Sequence, residues 1–231
     1  HPFTIATVTT DPSIDPVDIA TTDNSSCVAG NFTGTATVEL ADITDGAGAA
    51  LTDYSFFWAT AADPATQIDD DEVLDDDASG NTGVEDGDYV LILTDLVNGC
   101  TSATINVTIG SSQPTLTAGT PTITDNSICD PTANDAGAAD ANGAIAITPT
   151  GGAANYGFAL ETAGGSSIDN AGGTAGYEDV SFTNAGVTST TINGLPAGNY
   201  VVTITDETSG CTIDHPFTIA TVTTDPSIDP V

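Results

Sequence analysis

Between Asp69 and Asp88 the chain carries ten carboxylates in twenty residues. Within that stretch Asp75, Asp77, Ser79, Asn81 and Asp86 occupy the first, third, fifth, seventh and twelfth places of a D-x-D-x-S-G pattern, with Gly80 at the sixth. Hard oxygen donors at alternate positions, a glycine at the sharp turn and a closing acid are what a Ca²⁺ ion requires of a loop. The closing residue is Asp where a bidentate Glu is usual, and the flanks read as strands. The competing reading is a solvated acidic loop whose charge is screened by diffuse Na⁺. Calcium is the one cofactor the sequence suggests, and no cofactor is required.

Other chemistry has little to build on. Cys27, Cys100, Cys129 and Cys211 include no C-x-x-C pair, so a metal-thiolate site is the minor reading. His1 and His215 are one repeated position beside a proline at the start of a strand, which argues against a Ser/His/Asp relay. Carboxylate pairs abound, but in a polyacid they do not single out a hydrolase site. No enzyme is expected. Asn24, Asn31 and Asn106 head glycan acceptor sequons by letter, a triplet that arises easily in so Thr- and Asn-rich a chain.

The composition narrows the partners. The 231 residues hold 33 Asp plus Glu, no Lys and no Arg, for a net charge of -33. Such a chain cannot neutralise phosphates, which excludes nucleic acid and acidic lipid as partners and leaves cationic or neutral ones. With 39% hydrophobic and 14% charged residues it is not the composition of a disordered tail. The length suits two domains of about 100 residues, and no apolar run approaches the ~18 residues of a membrane span, so no membrane insertion is expected. There is no Met and no leader pattern, so residue 1 is expected to lie inside a longer polypeptide.

Two repeats organise the chain. His1 to Val17 reads HPFTIATVTTDPSIDPV, and His215 to Val231 reads the same seventeen letters, a period of 214 residues. Inside that period Thr22 to Cys27 matches Thr124 to Cys129 at a shift of 102, and Gly87 to Cys100 matches Gly198 to Cys211 at a shift of 111. One nine-residue loop insertion separates the two shifts. Short Thr/Val/Ile-rich runs at 35–40, 54–58, 89–94, 102–109, 143–148, 200–205 and 216–222 are broken by Gly, Asn, Asp and Pro, the pattern of strands. Tyr54, Phe56 and Trp58 share one face, as do Tyr89, Leu91 and Leu93, and Tyr200, Val202 and Ile204. Ile105, Val107 and Ile109 fall one residue out of phase with Phe217 and Ile219, which predicts a bulge or local indel.

The expected fold is all-β, with tandem immunoglobulin-like antiparallel β-sandwiches in a repeat array. Residues 1–8 are expected to be the last strand of a preceding module, 9–16 a linker, 17–110 the first module and 111–114 a second linker. The second module should run over 115–222 and lead through 223–231 to the next repeat.

Gly151-Gly152, Tyr156-Gly157-Phe158, the run from Gly194-Leu195-Pro196-Ala197-Gly198 through Tyr200 to Asp206, and Gly210-Cys211-Thr212 resemble the SprB-type repeats of Bacteroidota gliding-motility and cell-surface adhesins. The first module is a degenerate version, with Val84 to Asp88 where the second has its GLPAG turn. The resemblance implies export to the cell surface and a role as an extended stalk or filament. The partners would then be neighbouring modules of the same polypeptide and lateral copies in a filament.

In an exported array an even set of cysteines points to disulfides. Two pairings are open: Cys27 with Cys100 and Cys129 with Cys211, each closing one module, or bridges that staple successive modules. Without Lys, Lys–Asn isopeptide crosslinks cannot form, and strength must come from disulfides, β-pairing or bridging cations. The expected function is thus a structural or adhesive repeat unit. Two alternatives are a calcium-dependent carbohydrate- or receptor-binding module and a subunit that polymerises by donating a strand.

Overall fold

The structure is a computed structural model that describes residues 10–75, 83–128 and 141–222. The chain divides into two compact units, His1–Gln113 and Pro114–Val231.

In the first unit the strands are β1 (Ala20–Thr22), β2 (Thr35–Thr37), β3 (Tyr54–Thr60), β4 (Val73–Leu74), β5 (Gly87–Asp95) and β6 (Ile105–Ile109), with single 3₁₀ turns at Leu40–Asp42 and Leu51–Asp53. They form two antiparallel sheets in the orders β1-β2-β4 and β3-β5-β6. Alternation sets which side chains meet between them. Tyr54, Phe56 and Trp58 of β3 and Leu91 and Leu93 of β5 turn inward against Ala36, Val38 and Leu74. Trp58 is fully buried, and its indole N–H donates to the Asp71 carbonyl at 3.0 Å, so the largest core residue leaves no polar group unpaired.

The second unit repeats the plan with β7 (Thr122–Thr124), β8 (Gly143–Ile147), β9 (Tyr156–Thr162), β10 (Ser167–Ile168), β11 (Thr190–Leu195), β12 (Gly198–Asp206) and β13 (Thr212–Ile219). Its sheets run β11-β8-β7 and β10-β9-β12-β13. Ile145, Ile147, Ile192 and Leu195 of the first pack on Phe158, Leu160, Tyr200, Val202 and Ile204 of the second. In both units the first two strands and the one before the long central strand make one sheet. The third strand and the last two make the other, which is the strand allocation of an immunoglobulin-like sandwich.

The last hairpins explain the phase slip in the sequence. β12 and β13 pair without interruption from Gly198–Ile219 to Thr205–Thr212. In the first unit Leu91 faces Ile105, yet Thr94 faces Thr101, so β6 carries one extra residue before it becomes regular. The Ser102 hydroxyl fills the break by accepting the Leu93 N–H at 3.0 Å. The bulge restores the inward phase, and Val107 faces Tyr89 as Phe217 faces Tyr200. Pro216 is tolerated because β13 is an edge strand.

One boundary needs correction. Residues 9–16 were expected as a linker, but Ser13 pairs with Thr44 through both backbone hydrogen bonds and Ile14 is buried in the first core. The prolines at 12 and 16 flank that contact without preventing it, since neither supplies its donors. Residues 1–8 and 223–231 lie outside the described residues.

Candidate functional site

Of the five proposed calcium ligands, Asp77, Ser79 and Asn81 lie outside the described residues. Asp75 is half-buried and its backbone N–H donates to the Asp69 carboxylate at 3.0 Å. Asp86 is exposed, with one carboxylate oxygen accepting from the Asn24 amide at 3.2 Å. Among the described residues no group of three or more His, Cys, Asp or Glu side chains is placed to hold a metal. What the acidic stretch does show is turn chemistry. The buried Asp69 carboxylate accepts from the N–H groups of Asp70 and Asp71 as well as Asp75, and that of Asp71 from the N–H of Val73. Asp69 precedes the D-x-D pattern and so escaped a reading that began at Asp75.

The repeated T-D-N-S motif holds the first strand segment to the last. Asn24 is fully buried; its N–H donates to the Gly110 carbonyl and its carbonyl accepts from Ser112, in parallel pairing with the end of β6. Its side-chain oxygen accepts from the N–H groups of Ser26 and Thr33, both at 3.1 Å, while its amide donates to the Ser26 carbonyl and to Asp86. Asn126 does the same work in the second unit, bonded to Ala220 and Val222 through its backbone and to Ile128 and Asn142 through its side chain. Asn24, which heads one of the sequons, is thus a buried residue whose side-chain nitrogen is committed to Ser26 and Asp86. Asn31 and Asn106 are exposed.

A second repeated pair explains the acid that precedes each Gly-Cys. Asp95 is fully buried in a chain with no cationic side chain except histidine, and it is satisfied by backbone amides alone. It accepts from Ala47 at 2.5 Å, Val97 at 2.9 Å and Asn98. The Ala47 amide does most to hold its carboxyl below the ordinary range, outweighing desolvation, with Val97, Asn98 and Gly48 adding to it. Asp206 stands in the same corner of the second unit, accepting from Ala153, Thr208 and the Ser209 hydroxyl. Each carboxylate thus ties the last hairpin to the loop before the aromatic strand.

The cysteines divide. Cys27 and Cys211 are disulfide-bonded, Cys100 is a half-buried free thiol, and Cys129 lies outside the described residues. The expected Cys27–Cys100 bridge is therefore overturned. Asn24 fixes the Cys27 end of the chain beside Gly110 and Ser112, whereas Cys100 sits in the hairpin at the other end of β6. Five extended residues separate those ends by roughly 17 Å, far beyond the ~7 Å between Cα atoms that a disulfide spans. His215 is half-buried on β13 opposite Val202.

No family model and no curated protein matches the chain. Among solved structures it is similar to the three N-terminal domains of the bacteriophage RB49 Highly Immunogenic Outer Capsid protein (Hoc), at 13% identity and a TM-score of 0.42. The match covers 91% of this chain and 59% of that one, so the chain spans well under two thirds of the structure it resembles.

Proposed function

We propose that this chain is one 214-residue repeat, together with the first seventeen residues of the next, of a covalent tandem array, an acidic, exported filament or adhesin stalk of the kind the SprB-type resemblance implies. One observation carries the reading: the duplicated seventeen-residue block does two jobs. In its second copy, His215 to Ile219 form part of β13, with Phe217 and Ile219 in the core of the second unit. In its first copy, Ser13 and Ile14 pair and pack in the first unit. The front of the block thus closes one sandwich and the back of it opens another. A chain in which every copy of the block does both runs from repeat to repeat without a spare strand.

The pairing of first and last segments supports a mechanical role. Asn24 with Ser111 and Asn126 with Thr221 are parallel contacts, so tension applied along the chain shears their hydrogen bonds together instead of opening them one by one. Forced unfolding is governed by the barrier to that step. Buried carboxylates held by amides supply further ties that need no Lys or Arg.

Reducing, denaturing electrophoresis of the native assembly tests covalency. A covalent array migrates at high multiples of the repeat mass. Collapse to a single 23 kDa band would refute it in favour of subunits joined by strand donation.

A further inference from the structure

The second unit holds a feature that the array reading does not use. The segment between β9 and β12 is nine residues longer than its counterpart between β3 and β5. The extra length builds a strap: Ser181 pairs with Ala171 and with Asn193 of β11, and further on Asn184 and Val187 bond to Phe158 and Tyr156 of β9. Within the strap, Phe182 packs one side against the core and remains partly exposed.

Two open cavities meet at this ring. One, of about 540 Å³, is lined by Asn170, Phe182, Asn193 and the hydroxyl-bearing Thr183, Ser189 and Thr191. The other, of about 370 Å³, shares Asn170 and Phe182 and adds Asn184 and Asp169. Among the described residues Asp169 is the one ionisable group on either wall.

We propose that this groove binds a neutral saccharide. Its walls offer what such a ligand recognises: amides that both donate and accept, hydroxyls that do either, and an aromatic ring for the apolar face of a pyranose. Much of this capacity is uncommitted. The Thr190 hydroxyl is used, donating to the Thr183 carbonyl at 2.9 Å, and the Asn193 amide makes only a long 3.4 Å contact with the Thr191 carbonyl. The larger cavity carries no charge of its own, and a chain of net charge -33 repels anionic sugars. The first unit lacks the inserted segment, which restricts the site to the second.

The test is an amide-resolved NMR titration of the intact 231-residue chain with maltotriose, cellotriose, chitotriose and mannotriose, and with sialyllactose as an anionic comparison. At least one neutral trisaccharide is expected to bind with a Kd of about 0.1–10 mM, as a shallow polar groove allows. Its shifts should centre on Asn170, Phe182 and Asn193 and leave residues 10–75 unmoved. Phe182→Ala should abolish binding. Because Phe182 also packs on the core, Asn193→Ala and Thr191→Ala are the second readout, each expected to weaken binding about fivefold with an unchanged melting temperature. The proposal is overturned if none of the neutral sugars binds at 20 mM, a ceiling set about twofold above the weakest expected Kd. It is equally overturned if sialyllactose binds as well as they do, or if binding survives both Phe182→Ala and Asn193→Ala.

Discussion

The phenol of Tyr200 donates to the carbonyl of Pro196, four residues back, at 2.8 Å. Tyr89 repeats the contact with Glu85 at 2.7 Å. The GLPAG-x-Y run is therefore a tyrosine corner at the entry to the long central strand, and its degenerate copy keeps the geometry because the acceptor is a backbone carbonyl. Gly194 is fixed there by shape: its φ is +74°, and a Cβ would come within 2.1 Å of the Asp179 carbonyl.

Removing either phenol oxygen should weaken its own unit and spare the other. Tyr200→Phe and Tyr89→Phe are each expected to cost about 0.5–1.5 kcal/mol, the net worth of one partly buried hydrogen bond. Chemical denaturation should show one transition of the chain moving in each variant. Equal loss in both units would contradict the local account.

Alkaline stability follows from the same rings. Burial pushes the Tyr200 phenol well above its ordinary range, with Tyr177 adding to the shift, and burial followed by the Asp95 charge raises Tyr54. A phenol raised in the folded state favours folding below the unfolded value of about 10, and that contribution is lost as pH climbs through the folded value. Ionisation read by ultraviolet absorbance should thus lag in these two tyrosines and finish only as the chain unfolds. Free titration near pH 10 with the fold intact would refute it.

Acid should act through Asp95 in the opposite sense. Its carboxyl is depressed by the Ala47, Val97, Asn98 and Gly48 amides, so its contribution is present above the ordinary carboxylate range and disappears as pH falls through the lower folded value. Asp95→Asn is expected to be less stable than the parent at pH 6 and to converge with it toward pH 2. Parallel stability curves across that interval would show that the buried charge contributes nothing.

Much of the sandwich was legible because strand faces are local. Tyr54, Phe56 and Trp58 announce an inward face by alternation alone, and the one-residue slip ahead of Ile105 correctly marked the bulge. The strands β1, β4, β7 and β10 were invisible, since two or three residues carry no periodicity, and Ala20 to Thr22 and Thr122 to Thr124 are exposed throughout. Ile14 looked like part of a stiff spacer because prolines surround it. Two of the partners of Asn24, Asp86 and Ser112, lie 62 and 88 residues away, and no local pattern reports them. The nine-residue insertion could be counted from the two shifts, but not that it would strap Phe182 between two cavities.

The buried asparagines make a sharper case than their letters suggest. Asn24→Ala leaves the N–H groups of Ser26 and Thr33 without their acceptor and is expected to cost about 2–3 kcal/mol. Asn24→Asp restores that acceptor but sets a second carboxylate against Asp86, so it should rescue stability below pH 4 and fail to do so at pH 7. Thermal melts at both pH values distinguish lost acceptor from added charge. Mass spectrometry of the native protein should find Asn24 without a glycan.

The free thiol gives the proposed array its most direct chemical test. Cys100 and Cys211 occupy matching hairpins: Asp95 N–H donates to the Cys100 carbonyl and Asp206 N–H to the Cys211 carbonyl, both at 2.8 Å, and Gly99 and Gly210 close back on the same acids. Yet Cys211 is bonded and Cys100 is not. If repeats follow one another covalently, the thiol that completes the pattern at Cys100 belongs to an adjacent repeat. In the 231-residue chain without reductant, iodoacetamide should label Cys100 and spare Cys27 and Cys211. In a chain of two consecutive repeats, the copy of Cys100 in the downstream repeat should become protected and appear in a disulfide-linked peptide. Equal labelling of both copies would mean that the hairpins match in shape without sharing a role, and the array would have to hold its register without that bridge.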